Sequence, residues 1–167
     1  IVEAENFDKG GEGFTFHASD SNDEAKSGYR SDNEGVDIKA SNGGHVLGWT
    51  SQDEWYEYTV DVKQAGKYSC DAVVSSGLSG SGFNVGIVEN GKVTNLWKMN
   101  VPQTGNNSWD TYKPISNTTL KELKEGKQII RISIFGANCD IDKIELKCVE
   151  ATAINEINVD PSNSNTA

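Results

Sequence analysis

Basic residues are scarce in this chain, with 15 Lys and Arg against 25 Asp and Glu over 167 residues and a formal net charge of -10. Nowhere do five or more Lys and Arg cluster, which argues against nucleic acid and anionic membrane surfaces as partners and leaves cations and neutral ligands. Long apolar runs are missing as well, and every one falls far short of the ~20 residues that span a bilayer. No charged-then-apolar segment stands at the start, so the expectation is a soluble chain. It begins at Ile1 and its only methionine is Met99, which reads as a piece processed or excised from something longer.

Cysteine is also short. Cys70, Cys139 and Cys148 are too few and too scattered for a disulfide scaffold or a zinc site of paired cysteines. Cys139 and Cys148 fall on one expected strand, roughly 30 Å apart if it is continuous, beyond the reach of a disulfide. Cys70 alternates in phase with apolar neighbours and reads as a buried thiol. The two histidines, His17 and His45, have no nearby Ser or Cys nucleophile of the expected local kind, and no Gly-rich phosphate loop occurs. Helical periodicity is absent apart from Leu120 to Lys124, which could make one turn.

Short strands fill the space instead. Period-two alternation runs through Tyr56/Tyr58/Val60/Val62, Tyr68/Cys70/Ala72/Val74, Ile130/Ile132/Ile134 and Ile144/Leu146. Further candidates are Val36 to Ile38, His45 to Trp49, Phe83 to Glu89, Lys92 to Met99 and Trp109 to Ile115. Gln64-Ala65-Gly66, Asn90-Gly91, Thr104-Gly105-Asn106-Asn107 and Glu125-Gly126 supply turn chemistry between them. Many short strands without a helix make the fold class all-β, a two-sheet antiparallel β-sandwich or jelly roll. Its expected extent is residues 1–149. Residues 150–167 turn to Asn, Ser, Thr and Pro with no basic residue and read as a linker or tail.

Ile1 to Phe7 alternates as a short strand with Glu3 and Glu5 on one face, about 6.7 Å apart at the backbone. Asp142 falls in phase with Ile144 and Leu146 and so points inward at a sheet end, where an unpaired carboxylate is costly. A hard cation collecting Glu3, Glu5, Asp142 and loop carbonyls would relieve both problems and suits calcium; three solvated edge carboxylates are the alternative. Asp20-Ser21-Asn22-Asp23-Glu24 starts like an EF-hand, but its sixth position is Ala25 and its twelfth Ser31, so that motif is rejected.

Tyr29 lies in Gly28-Tyr29-Arg30-Ser31-Asp32-Asn33, a loop composition, and is either a recognition ring or a lid over the core. Trp109 leaves the polar turn Gly105-Asn106-Asn107-Ser108 and is either a second ring at the same end or a core tryptophan. Two facing rings would hold a pyranose, with Asn, Asp and backbone groups taking its hydroxyls. Catalysis finds less support. Glu54 and Glu57 face opposite sides of one strand, Asp53 and Glu57 stand roughly 13 Å apart, and only Asp140 and Asp142 have the spacing of an inverting pair.

These pieces occur together in an order that resembles a known family. Val2-Glu3-Ala4-Glu5-Asn6-Phe7-Asp8, Gly28-Tyr29-Arg30 with Val36-Asp37-Ile38, Gly48-Trp49-Thr50 with Glu54-Trp55-Tyr56-Glu57-Tyr58-Thr59-Val60, Ala65-Gly66-Lys67-Tyr68, Val101-Pro102-Gln103-Thr104-Gly105 with Trp109, and Asp140-Ile141-Asp142-Lys143-Ile144-Glu145-Leu146 look like the family 6 carbohydrate-binding modules. The resemblance implies a β-sandwich without catalysis, appended to a secreted or cell-surface polysaccharide-degrading enzyme. It implies a structural calcium held by Glu3, Glu5, a loop carbonyl near Arg30, and Asp142. A sugar cleft between Tyr29 and Trp109 is also implied, with a polar residue just before the last strand. That residue is commonly Asn in the family; by register it is Asp140 here, with Asn138 two positions earlier. Members bind xylans, β-1,3 and mixed-linkage glucans, cellulose or agar-type chains. Some use a second surface on the concave sheet face, where Glu12 or Trp49 would contribute. The expected function is targeting of an attached glycoside hydrolase to β-linked polysaccharide such as xylan or β-glucan. A small glycoside-active enzyme and an adhesion domain without sugar ligand are the alternatives.

Overall fold

Alternation along the strands builds the core. The computed structural model describes residues 1–153, and in them Tyr56 and Tyr58, Cys70, Ala72 and Val74, and Ile130, Ile132 and Ile134 are all buried. Because successive strand residues point to opposite faces, burying every second one lays each strand apolar side inward. Among the described residues the strands are β1 (Val2–Glu3), β2 (Phe16–His17), β3 (Ile38–Ser41), β4 (Gly44–Leu47), β5 (Trp55–Val62), β6 (Gly66–Ser75), β7 (Ser81–Glu89), β8 (Lys92–Val101), β9 (Lys113–Leu123), β10 (Gly126–Gly136) and β11 (Asp140–Ala151).

They form two antiparallel sheets. One runs β3-β4-β11-β6-β9, with β1 added against β11; the other runs β2-β5-β10-β7-β8. The expected two-sheet sandwich is thus the observed one. Between the sheets lie Phe16, Phe83, Trp97, Met99 and Ile144, each at most 2 % exposed. Trp97, whose sequence context gave no role, donates its indole N–H to the Thr119 carbonyl at 2.8 Å and so takes a polar group into the core satisfied. The β7–β8 hairpin closes at Asn90-Gly91, where both residues adopt the positive φ of a type I′ turn, and Asn42-Gly43 closes β3–β4 in the same way.

Several local expectations change. Ile1 to Phe7 is not a continuous strand: a 3-10 turn, Ala4–Asn6, follows β1. Ala4 and Phe7 are both buried, and with three residues per turn a 3-10 segment puts positions three apart on one side, whereas a strand would oppose them. Glu3 and Glu5 therefore do not share a pleated face. Leu120 to Leu123 is strand rather than helical turn, because β9 satisfies its backbone against β6 as far as Leu123 opposite Gly66. Trp109 to Tyr112 is loop, since β9 begins only at Lys113.

Asp142 is the extra residue of a bulge. Ile141 pairs with Val74 and Lys143 with Val73, so Asp142 has no partner across the ladder and the side-chain phase resets after it. Ile141 and Ile144 are both buried while Asp142 is only half-buried and accepts a hydrogen bond from the Asn42 amide at 2.9 Å. It does not point inward in step with Ile144. At the far end β11 runs to Ala151, two residues past the expected boundary, and the Thr152 N–H reaches the Ala65 carbonyl at 2.8 Å. The remainder of the expected linker, from residue 154, lies outside the described residues.

Candidate functional site

One cleft gathers loops from both sheets. It has a volume of about 640 Å³ and is lined by Lys39, Trp49, Asn107, Ser108, Trp109, Asp110, Asn138 and Asp140. Lys39 comes from β3, Trp49 from the connection between β4 and β5, residues 107–110 from the loop before β9, Asn138 from the turn between β10 and β11, and Asp140 from the start of β11.

Hydrogen bonds fix the half-buried Trp109 ring. Its indole N–H donates to the Asn138 carbonyl at 2.9 Å, and that carbonyl also accepts from the hydroxyls of Ser76 at 2.7 Å and Ser81 at 3.1 Å. Asn138 donates its own N–H to the Thr50 carbonyl at 2.9 Å, while Thr50 Oγ1 donates to the Cys139 carbonyl at 2.7 Å. The residue after Trp49 and the residue that anchors Trp109 are thereby joined. Trp49 is 51 % exposed and holds φ at +45°. A bulky residue in that left-handed region costs on the order of 1–3 kcal/mol and persists only where its surroundings impose it. Asn107 and Asn138 also have positive φ, which asparagine tolerates better.

Charge in the cleft is paired. Lys39 Nζ lies 2.5 Å from Asp140 Oδ2 and 3.2 Å from Asp110 Oδ1, and donates to the Trp109 carbonyl at 3.3 Å. Burial pushes the Asp140 carboxyl up to about 6, with Lys39 pulling against it. Burial draws the Lys39 ammonium down, but Asp140, Tyr112 and Asp110 outweigh this and hold it above its ordinary value. Both groups are therefore charged at neutral pH.

Of the expected sugar contacts, Trp109, Asn138 and Asp140 stand together here, but Tyr29 does not. Tyr29 lines a separate depression with Asn6, Phe7, Lys9, Arg30, Ser31 and Asp32. Its ring packs on His45 at 4.3 Å between centroids and its hydroxyl donates to Asn6 Oδ1 at 2.7 Å. Alternation explains the separation: His45 pairs with Ala40 and Lys39 with Val46 across the β3–β4 ribbon, so His45 and Lys39 leave opposite faces. The second aromatic of the cleft is Trp49. It was expected at the end of a His45 to Trp49 strand and at a second surface; β4 ends at Leu47 and leaves Trp49 on the connection that follows.

The other candidates fall elsewhere. Glu12, expected at a second surface, binds His17 Nδ1 at 2.5 Å and the Ala18 N–H at 2.8 Å. Trp55 lies under the Arg131 guanidinium at 3.8 Å, itself bonded to Glu57. All three cysteines are free thiols, and burial pushes Cys70 and Cys139 up to about 12.

The acidic group at the N-terminus is less regular than expected. Glu5 is 7 % exposed and its Oε2 is buried without a hydrogen-bond partner. Burial, joined by the charges of Glu3 and Asp142, pushes its carboxyl up to about 7. Among the described residues, no three His, Cys, Asp or Glu side chains converge into a ready-made metal cage. The Arg30 side chain donates to the carbonyls of Glu5 at 3.2 Å and Phe7 at 2.7 Å, stacks 3.9 Å above the Phe7 ring and pairs with Asp32 at 2.7 Å.

The chain is similar to known proteins. Residues 24–148 match the carbohydrate binding module family 6. A β-agarase, AgaO of Microbulbifer thermotolerans, is 26 % identical over 120 residues, covering 69 % of this chain but only 10 % of that protein. The C-terminal family 6 module of LamC, a marine laminarinase of Zobellia galactanivorans, superposes with a TM-score of 0.62 at 19 % identity, covering 87 % of this chain and 96 % of that one. A module of Cellvibrio mixtus lichenase 5A, solved with cellotriose, gives 0.60 at 15 % identity, covering 87 % and 94 %. With three-quarters of its length matched and the same two-sheet fold, the chain belongs to the family 6 carbohydrate-binding modules, which bind carbohydrate without catalysis.

Proposed function

We propose that the module binds a neutral β-linked polysaccharide in the cleft between Trp49 and Trp109, and so keeps an attached glycoside hydrolase at its substrate outside the cell. The observation that carries this is the pair of tryptophans on one opening, both in polar surroundings and one held in a strained backbone. The C–H faces of a sugar lie against indole rings, and the hydroxyls find Asn107, Ser108, Asn138 and the edge of Asp140 around them. Covering roughly 100–200 Å² of apolar surface would supply about 3–5 kcal/mol before ordering costs, which fits a dissociation constant on the order of micromolar to millimolar. Tethering would raise the effective concentration at an insoluble substrate. Xylan, β-glucan and agarose are the candidate chains; the agarase relative and the modules of the laminarinase and lichenase favour marine galactan or β-glucan.

A structural calcium belongs to the same reading. The orphaned Glu5 Oε2 and its repulsion from Glu3 and Asp142 fit a hard cation. Glu3, Glu5, Asp142 and a loop carbonyl near Arg30 would hold it, and it would neutralise the buried charge and tie β1 to β11. Affinity electrophoresis through agarose, laminarin and xylan tests the binding. Retention on at least one, lost in Trp109→Ala with the fold intact, is the expected result; no retention on any of the three refutes it.

A further inference from the structure

Lys39 is the one cation among the described residues lining the cleft, and its ammonium is held by its neighbours. An ammonium group has three protons. This one donates to the Trp109 carbonyl at 3.3 Å and forms ion pairs with Asp140 Oδ2 at 2.5 Å and Asp110 Oδ1 at 3.2 Å. The side chain is 18 % exposed and that of Asp140 4 %, so the pair sits beneath the opening rather than at its rim. Other contacts extend it on each side. Ser41, two residues along β3, donates to Asp110 Oδ1 at 2.8 Å and accepts from the Tyr112 hydroxyl at 2.9 Å. Gly48 packs against the same pair: a Cβ there would stand 3.3 Å from Asp140 Oδ1 and 3.6 Å from Lys39 Cβ. Gly48 immediately precedes Trp49. Lys39 thus ties the Trp109 loop to β3 directly, and it and its partner Asp140 both pack beside Gly48, at the start of the Trp49 loop.

We infer that Lys39 is a positioning residue that sets the gap between the two indole rings, and that by spending its charge inside the wall it makes the cleft select uncharged chains over sulfated ones. Two carboxylates against one committed ammonium leave an excess negative charge and no donor cation for a sulfate or uronate group. This inference rests on the cleft being the sugar site.

The alternative role for Lys39 is bare neutralisation of Asp140, and a set of variants separates the two. Lys39→Met leaves a carboxylate buried without its partner and is expected to lower the melting temperature. Adding Asp140→Asn removes that charge and is expected to restore the melting temperature, while retention on the neutral polysaccharide stays about tenfold weaker than in Asp140→Asn alone, because the tie to the Trp109 carbonyl and Asp110 is still gone. Agarose and laminarin serve as neutral probes and κ-carrageenan as the sulfated one. The wild-type chain is expected to be held by a neutral probe and not by κ-carrageenan. If the double variant binds as tightly as Asp140→Asn alone, or if κ-carrageenan holds the wild type as well as the neutral probe does, the inference is overturned while the cleft reading stands. If Trp109→Ala binds like wild type, the cleft reading itself fails.

Discussion

Replacing Glu5 by glutamine keeps the side chain's shape and removes a charge that the fold holds at a cost. Burial and the neighbouring Glu3 and Asp142 raise its pKa from 4.5 to about 7. A carboxyl whose folded pKa lies above its unfolded value binds protons more readily when folded. Stability therefore falls as pH rises from about 4.5 to about 7 and stays low above that. Each unit is worth 1.36 kcal/mol; after discounting for solvent that reaches the site, the cost at pH 8 is on the order of 2 kcal/mol. In chelator at pH 8, Glu5→Gln is expected to melt about 4–8 °C above wild type. Near pH 4 the two should melt together, since Glu5 is then protonated in both states. Calcium should reverse the order at pH 8, stabilising wild type by mass action and the variant far less. Calorimetry across pH, with chelator and with calcium chloride, makes the measurement. A variant less stable than wild type in chelator at pH 8, or a gap that does not close on acidification, would refute the reasoning.

Other substitutions test the cleft and the core. Trp49→Ala and Trp109→Ala are each expected to weaken polysaccharide retention at least tenfold, and Tyr29→Ala to change it less than about twofold, in affinity electrophoresis. Equal losses in all three would put Tyr29 back in the site. Gly77→Ala would bring a Cβ within 2.7 Å of the Ser108 N–H nitrogen and 3.0 Å of Asn107, all backbone; the Trp109 loop must move, so binding should fall together with the melting temperature. Trp97→Phe leaves the Thr119 carbonyl without its donor and should cost about 1–3 kcal/mol in urea unfolding with sugar binding unchanged.

Much of the sandwich was legible because alternation is a local property. Ile130, Ile132 and Ile134, or Cys70, Ala72 and Val74, declare their buried face whatever they pair with, and Asn90-Gly91 declares its turn. What stayed hidden depends on pairing and packing. The bulge at Asp142 shifts the phase of one strand by a residue, and nothing in Ile141-Asp142-Lys143-Ile144 marks it. The 3-10 turn at Ala4–Asn6 arises because Ala4 and Phe7 must both face the core. Trp109, Asn138 and Asp140 were expected at one end of the molecule and line one cleft, whereas Tyr29 read as a loop ring and Trp49 as the end of a strand, with nothing local to place Trp49 beside Trp109. Their separation is decided by which face of the β3–β4 ribbon each meets, a consequence of register that spacing cannot supply.

Whether sugar lies between Trp49 and Trp109 can be read directly from the indole rings. The four tryptophans offer four indole N–H resonances, a direct readout during titration with neoagarohexaose or laminarihexaose. Saturable shifts are expected for Trp49 and Trp109, with Trp97 in the core and Trp55 beneath Arg131 unmoved. Binding that shifts Trp55 and leaves Trp49 and Trp109 in place would contradict that placement.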